Sequence, residues 1–161
     1  MAKKITFWTA TILWMWVIFA FSAQPAIQSD AVSLGIVEKI ISFIRNIKYI
    51  PAFSWVDTDS IADFVGVMNH YVRKAAHFTV FAILGVIVYN LFASYDIDRR
   101  KAVLFTALVC LVYAISDEIH QLFVPGRAGM VKDVMIDFSG SLTALGVIYH
   151  MFGKKVRKEM A

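Results

Sequence analysis

A single cysteine, Cys110, in a chain of 161 residues excludes an intramolecular disulfide and a thiolate metal cluster. Charge is scarce too: Asp, Glu, Lys and Arg make up 17% of the residues against 59% hydrophobic, and the mean hydropathy is +0.65. Soluble domains carry about 25% charged residues, so this composition excludes an ordinary soluble fold and indicates a polytopic membrane protein. The chain also lacks a phosphate-cradling glycine loop, a nucleophile motif of independent specificity, an internal repeat and any low-complexity tract. The missing repeat argues against a small proton-linked transporter, for which buried Asp and His would form the relay. The net charge of +4 resides in the flanks of the apolar segments. It speaks for topology and anionic lipid rather than nucleic acid.

What the chain does have is four apolar segments, 5–22, 75–93, 102–123 and 134–152. A bilayer core of roughly 30 Å takes about 20 helical residues. The uncharged stretch 102–115 is too short on its own, so its helix must carry Ser116 to Phe123 into or near the membrane. The expected fold is all-α, a single membrane domain over 1–161: a bundle of four transmembrane helices with an extracytoplasmic helical insertion at 23–73. Lys3 and Lys4, then Arg99, Arg100 and Lys101, then Lys154, Lys155, Arg157 and Lys158 flank the spans on one side. Basic residues stay inside, so both termini are expected in the cytoplasm. The first segment has features of a signal peptide, but its length and its three tryptophans, Trp8, Trp14 and Trp16, favour a retained span.

The insertion divides at Pro51. Before it, Ile36, Val37, Ile40, Ile41, Ile44 and Ile47 recur at helical spacing against Glu38, Lys39, Arg45 and Lys48, with Ser33 as an expected cap. After it, Asp57, Asp59 and Ser60 supply cap-type residues before Ile61, Phe64, Val65 and Met68, so a second helix is expected to run straight into the next span. These amphipathic pieces can lie on the outer leaflet or cover the mouth of the bundle. Residues 96–101 form a short cytoplasmic connection, and Pro125, Gly126, Arg127 and Gly129 a tight turn on the other side, with Pro125 expected to end the third helix.

Polar residues gather at one end of these segments. Cys110, Tyr113, Asp117, His120 and Gln121 share a helix face, with Glu118 about a quarter turn away; Asp133, Asp137, Gly140, Ser141 and Ala144 share another; Arg73, Lys74 and His77 open the second span. A single cluster of Arg73, Lys74, His77, Asp117, Glu118, His120, Gln121, Arg127, Asp133 and Asp137 is therefore expected near the outer interface. Charged groups at membrane depth are costly and normally face a partner, a cavity or a bundle interior. One reading is a charge-compensated network that locks the helices together, although such networks stabilise poorly compared with apolar packing. Another is a metal site of Asp, Glu and His; the basic residues nearby disfavour a cation, so no metal and no cofactor is expected. Arg73, Lys74 and Arg127 are expected to form an anion site, since the planar guanidinium binds oxyanions bidentately.

The chain resembles the VanZ-like membrane proteins through FSAQP at 21–25, RKAAHF at 73–78 and SDEIHQLFVPGRAGMVKDVMIDFSG at 116–140. These blocks cover most of the chain apart from 27–70. The resemblance implies a bacterial inner-membrane protein, the named member being associated with tolerance to the glycopeptide antibiotic teicoplanin. It also implies roles for Asp117, Glu118, Gln121, Arg127 and Asp133. Where that family usually has Asn, this chain has Asp137, which adds a negative charge. The expected function is binding, at the outer cluster, of a membrane lipid phosphate, a lipid-linked cell-wall precursor or a glycopeptide. The alternative is an enzyme, a hydrolase or transferase acting on such a lipid, with His77 or His120 as base or nucleophile.

Overall fold

The computed structural model describes residues 1–46 and 58–159, and the side chains of 1–43 and 63–151 among them. Over these residues the fold is all-helical, with helices α1 (Ala2–Ser22), α2 (Ala26–Asn46), α3 (Thr58–Ala93), α4 (Arg99–Gln121) and α5 (Val131–Glu159). Four of them are long and apolar enough to cross a membrane, through Ala2–Ser22, Asp63–Ala93, Arg99–Gln121 and Val131–Met151. Their outward faces carry large apolar side chains such as Ile12, Leu13, Trp16, Leu108, Val112 and Ile119, each at least half exposed in the isolated chain. A soluble protein rarely shows a patch of that extent; acyl chains cover it in a bilayer.

The helix boundaries depart from the sequence expectation where local chemistry intervenes. Helix α4 starts at Arg99, ahead of the apolar run, because the Asp98 side chain accepts from the free amides of Arg100 (2.9 Å) and Lys101 (3.3 Å). It ends at Gln121, short of Phe123 and Pro125, where the chain tightens into turns with Leu122, Phe123 and Val124 donating three residues back. Pro125 therefore does not end the helix; its carbonyl accepts from Ala26 N at 3.2 Å and ties α2 to the α4–α5 turn. Ser33 caps nothing. It lies inside α2, buried, and its hydroxyl returns to the carbonyls of Ser29 and Asp30. The expected continuity into the second span is present: α3 runs unbroken for 36 residues, about 54 Å at ~1.5 Å per residue. Asp57 lies outside the described residues, as do Pro51, Ile47 and Lys48 and the side chains of Ile44, Arg45, Asp59, Ser60 and Ile61.

Helix α2 uses its apolar face sparingly. Val37 is buried, but Ile36, Ile40 and Phe43 remain 45%, 46% and 69% exposed. It packs on α3, where Arg73 Nη1 bonds Asp30 Oδ1 at 2.9 Å.

Helices α3 and α5 are parallel and in direct contact, and α4 packs antiparallel against both. Ser141 Oγ donates to Phe81 O (2.9 Å), a Cβ on Gly85 would sit 3.1 Å from Ser141 O, and one on Gly140 would run into the Phe78 carbonyl. Small residues let membrane helices approach this closely. Phe81, Leu84, Val88, Cys110 and Ala114 fill the space beneath, with Ile18 from α1. Helix α1 is pinned by side chains that donate to main-chain carbonyls: Trp14 Nε1 to Val80 O (2.9 Å) and Tyr113 Oη to Met15 O (2.5 Å). Lys4 lies over the Tyr95 ring and Arg99 over the Tyr149 ring, so both termini share one end of the bundle. The other end is called distal below.

Candidate functional site

The tight α3–α5 contact sets the register of the distal end. One turn above the Phe81–Ser141 bond, His77 faces Asp137, with Nδ1 3.4 Å from Oδ1. One turn further, Lys74 Nζ binds Asp133 Oδ1. Helix α4 brings Asp117 to the same place: one donor atom from each of His77, Asp117 and Asp137 lies within 4.8 Å of the others. Asp117 Oδ2 accepts from Ser22 Oγ at 2.7 Å and from Gln121 Nε2 at 3.0 Å. Asp137 is fully buried and neither of its oxygens finds a hydrogen-bond donor among the described groups.

Arg127 ties the hairpin tip to the end of α1. Its Nε donates to Gln24 O (3.0 Å), Nη1 to Gln121 Oε1 (3.2 Å) and Nη2 to Phe21 O (3.3 Å). Burial holds its pKa below the usual arginine value; the charge of Arg73 acts the same way, and Asp117, Asp30 and Glu118 oppose it. The guanidinium still stays charged at any accessible pH.

Not all ten expected residues join one cluster. Glu118 turns toward the start of α5, where Oε1 accepts from Met130 N at 2.5 Å, a favourable place for a carboxylate at the positive end of a helix. His120 packs on the Phe19 ring, with centroids 4.4 Å apart, rather than joining His77. The three cations expected to face an anion together do not share one cavity: Arg73 and Arg127 line a cavity between α1, α2 and α3, whereas Lys74, bound to Asp133, borders with Arg73 a smaller void that Arg127 does not reach. Each already has acceptors, because taking a charge out of water without one is costly. Sequence reasoning missed Asp30, the partner of Arg73, and the part of Ser22 in holding Asp117. Asp30 has no local signal, since its partner is remote in sequence and its helix matches no motif. Ser22 lies in the FSAQP block and could have been found there.

The larger cavity measures ≈ 260 Å³. Its walls are mainly apolar, with Ile18, Phe21, Val32, Ile36, Val72 and Val80 prominent, and its polar edge is Ser22, Gln24, Arg73, His77 and Arg127.

Fold and site together define a class: a multi-pass helical membrane protein with a polar cluster built where four helices meet at one end. The chain belongs to the VanZ/LLP1 family, whose model matches residues 7–153. No curated protein and no solved structure matches it.

Proposed function

We propose that this protein binds a lipid carrying an anionic head group, a polyprenyl phosphate or a lipid-linked cell-wall precursor, at its distal end. In this reading it acts from the bacterial inner membrane with both termini in the cytoplasm, which the basic flanks at the terminal end support. The distal end then faces the outer leaflet, and holding the precursor there underlies tolerance to glycopeptides such as teicoplanin.

The observation that carries the reading is the cavity between α1, α2 and α3. It pairs apolar walls, fit for an acyl or prenyl chain, with a rim bearing Arg73, Arg127 and His77. Ligand sites commonly combine apolar lining with a few convergent polar groups. Arg73 is 37% exposed and its ion pair with Asp30 sits at the rim, so a phosphate can compete for it. Helix α2 roofs the cavity through Ser29, Val32, Ser33 and Ile36, which gives the insertion a binding role.

The test is binding of a polyprenyl phosphate and of the matching uncharged polyprenol to purified protein in lipid nanodiscs. The phosphate should bind the parent more tightly than the alcohol, and both Arg73→Ala and Ala76→Phe, the second of which fills the cavity, should weaken it. Equal binding of phosphate and alcohol, or no effect of either substitution, overturns the proposal. A second reading, an enzyme acting on the same head group, is favoured by His77, which lines the cavity on one side and faces Asp137 on the other. Release of inorganic phosphate from the bound lipid, lost in His77→Ala, separates it from binding alone.

A further inference from the structure

We propose that His77, Asp117 and Asp137 form a binding site for one divalent transition-metal ion of the zinc type. The site does not depend on the lipid reading.

Asp137 is 0% exposed, yet both its carboxylate oxygens lack donors among the described groups, and so does His77 Nδ1. A buried carboxylate is costly unless a positive charge compensates it. His77 Nδ1 and Asp137 Oδ1 stand 3.4 Å apart, within ion-pair range but beyond ordinary hydrogen-bond length. It is, however, the separation of two ligands on one tetrahedral ion: metal bonds of about 2.1 Å to nitrogen and oxygen place their ends about 3.4 Å apart.

Beside His77 and Asp137 lies a void of ≈ 10 Å³ that Gln121, Arg73, Lys74 and Asp133 also border, near the size of one water or one small ion. Asp117 supplies the third donor atom from α4, the three atoms lying within 4.8 Å of one another. Its orientation is set by outer partners, since Ser22 Oγ and Gln121 Nε2 both donate to Oδ2. Metal ligands are held in this manner by second-layer hydrogen bonds.

The basic residues in the sequence argued against a cation here, and the tertiary pairing removes most of that objection. Arg73 is bonded to Asp30 and Lys74 to Asp133. Arg127 spends its nitrogens on two carbonyls and the Gln121 amide oxygen. Two carboxylates and an imidazole remain, a donor set suited to zinc with a fourth position open, whereas magnesium asks for an octahedron of oxygens. His77 also provides the way in, being 24% exposed and lining the larger cavity.

The full-length protein, freed of any affinity tag and stripped with a chelator, is titrated calorimetrically with Zn²⁺ and with Mg²⁺ in nanodiscs. One equivalent of Zn²⁺ should bind, more tightly than Mg²⁺. Asp137→Asn, which keeps the shape, should weaken Zn²⁺ by at least about a hundredfold, and Ser22→Ala, which removes a partner of Asp117, by about tenfold. Asp63→Asn, on the exposed start of the described α3 side chains, should bind as the parent does. Size-exclusion profiles and thermal midpoints of the metal-free variants show that each is folded. No saturable Zn²⁺ heat in the parent would mean that the void holds water. Undiminished binding by Asp137→Asn would place the ion elsewhere, and a preference for Mg²⁺ would remove the zinc assignment. Any of the three overturns the proposal.

Discussion

Replacing Arg127 by Lys keeps the charge and discards the geometry, so it measures what the planar fork contributes. Three separate nitrogens of Arg127 serve three acceptors, Gln24 O, Gln121 Oε1 and Phe21 O, at 3.0 to 3.3 Å. The single nitrogen of a lysine can serve one or two acceptors that lie in different directions. A hydrogen bond to a charged group contributes about 1.5 to 3 kcal/mol, and the half-buried position calls for the lower figure. Losing one or two bonds should therefore destabilise the protein by about 1.5 to 3 kcal/mol. Arg127→Ala loses all three and strands Gln121 Oε1, for about 4 kcal/mol or more. Reversible unfolding in mixed detergent and dodecyl sulfate micelles, on parent and both variants, gives the two differences. Should Lys match the parent while Ala shows its full loss, the charge and not the fork holds the hairpin tip. Should neither variant lose stability, the three bonds contribute nothing net.

Gly140→Ala would normally stabilise a helix by about 1 kcal/mol, but here the new Cβ meets the Phe78 carbonyl, so the same unfolding assay should show a loss of about 1 to 3 kcal/mol; a gain would refute the close α3–α5 contact. Lys74 and Asp133 form a pair with side chains 26% and 22% exposed, and a double-mutant cycle to Met and Asn should give a coupling of about 1 to 2 kcal/mol; additive single effects would show that the pair does not form. For orientation, Ala128→Cys should react with a membrane-impermeant thiol reagent in intact cells and Lys101→Cys should not. Cys110 is 0% exposed and leaves the background silent. The reverse pattern would invert the membrane topology.

The helices themselves were legible because they depend on local pattern. Apolar runs of spanning length and the Pro125–Gly129 turn are short-range features, and a backbone in lipid must bond within its own helix. The cluster was legible as a gathering at one end, since spacing by three and four residues places Asp117 and Gln121, or Asp133 and Asp137, on one face. Pairing was not. Whether Arg73 meets Asp30 or a ligand, and whether Lys74 faces the cavity or Asp133, depends on which helices touch and in what register. That register is set by the approach of α3 to α5 at Gly85, Gly140 and Ser141, a parallel contact between elements that are not consecutive. Helical periodicity fixes the face of a side chain and says nothing of its opposite number. The carboxylate of Asp137, facing His77 with no hydrogen bond among the described groups, therefore belongs to the tertiary structure alone: close packing brings two helices together before every buried polar atom on them has found a partner.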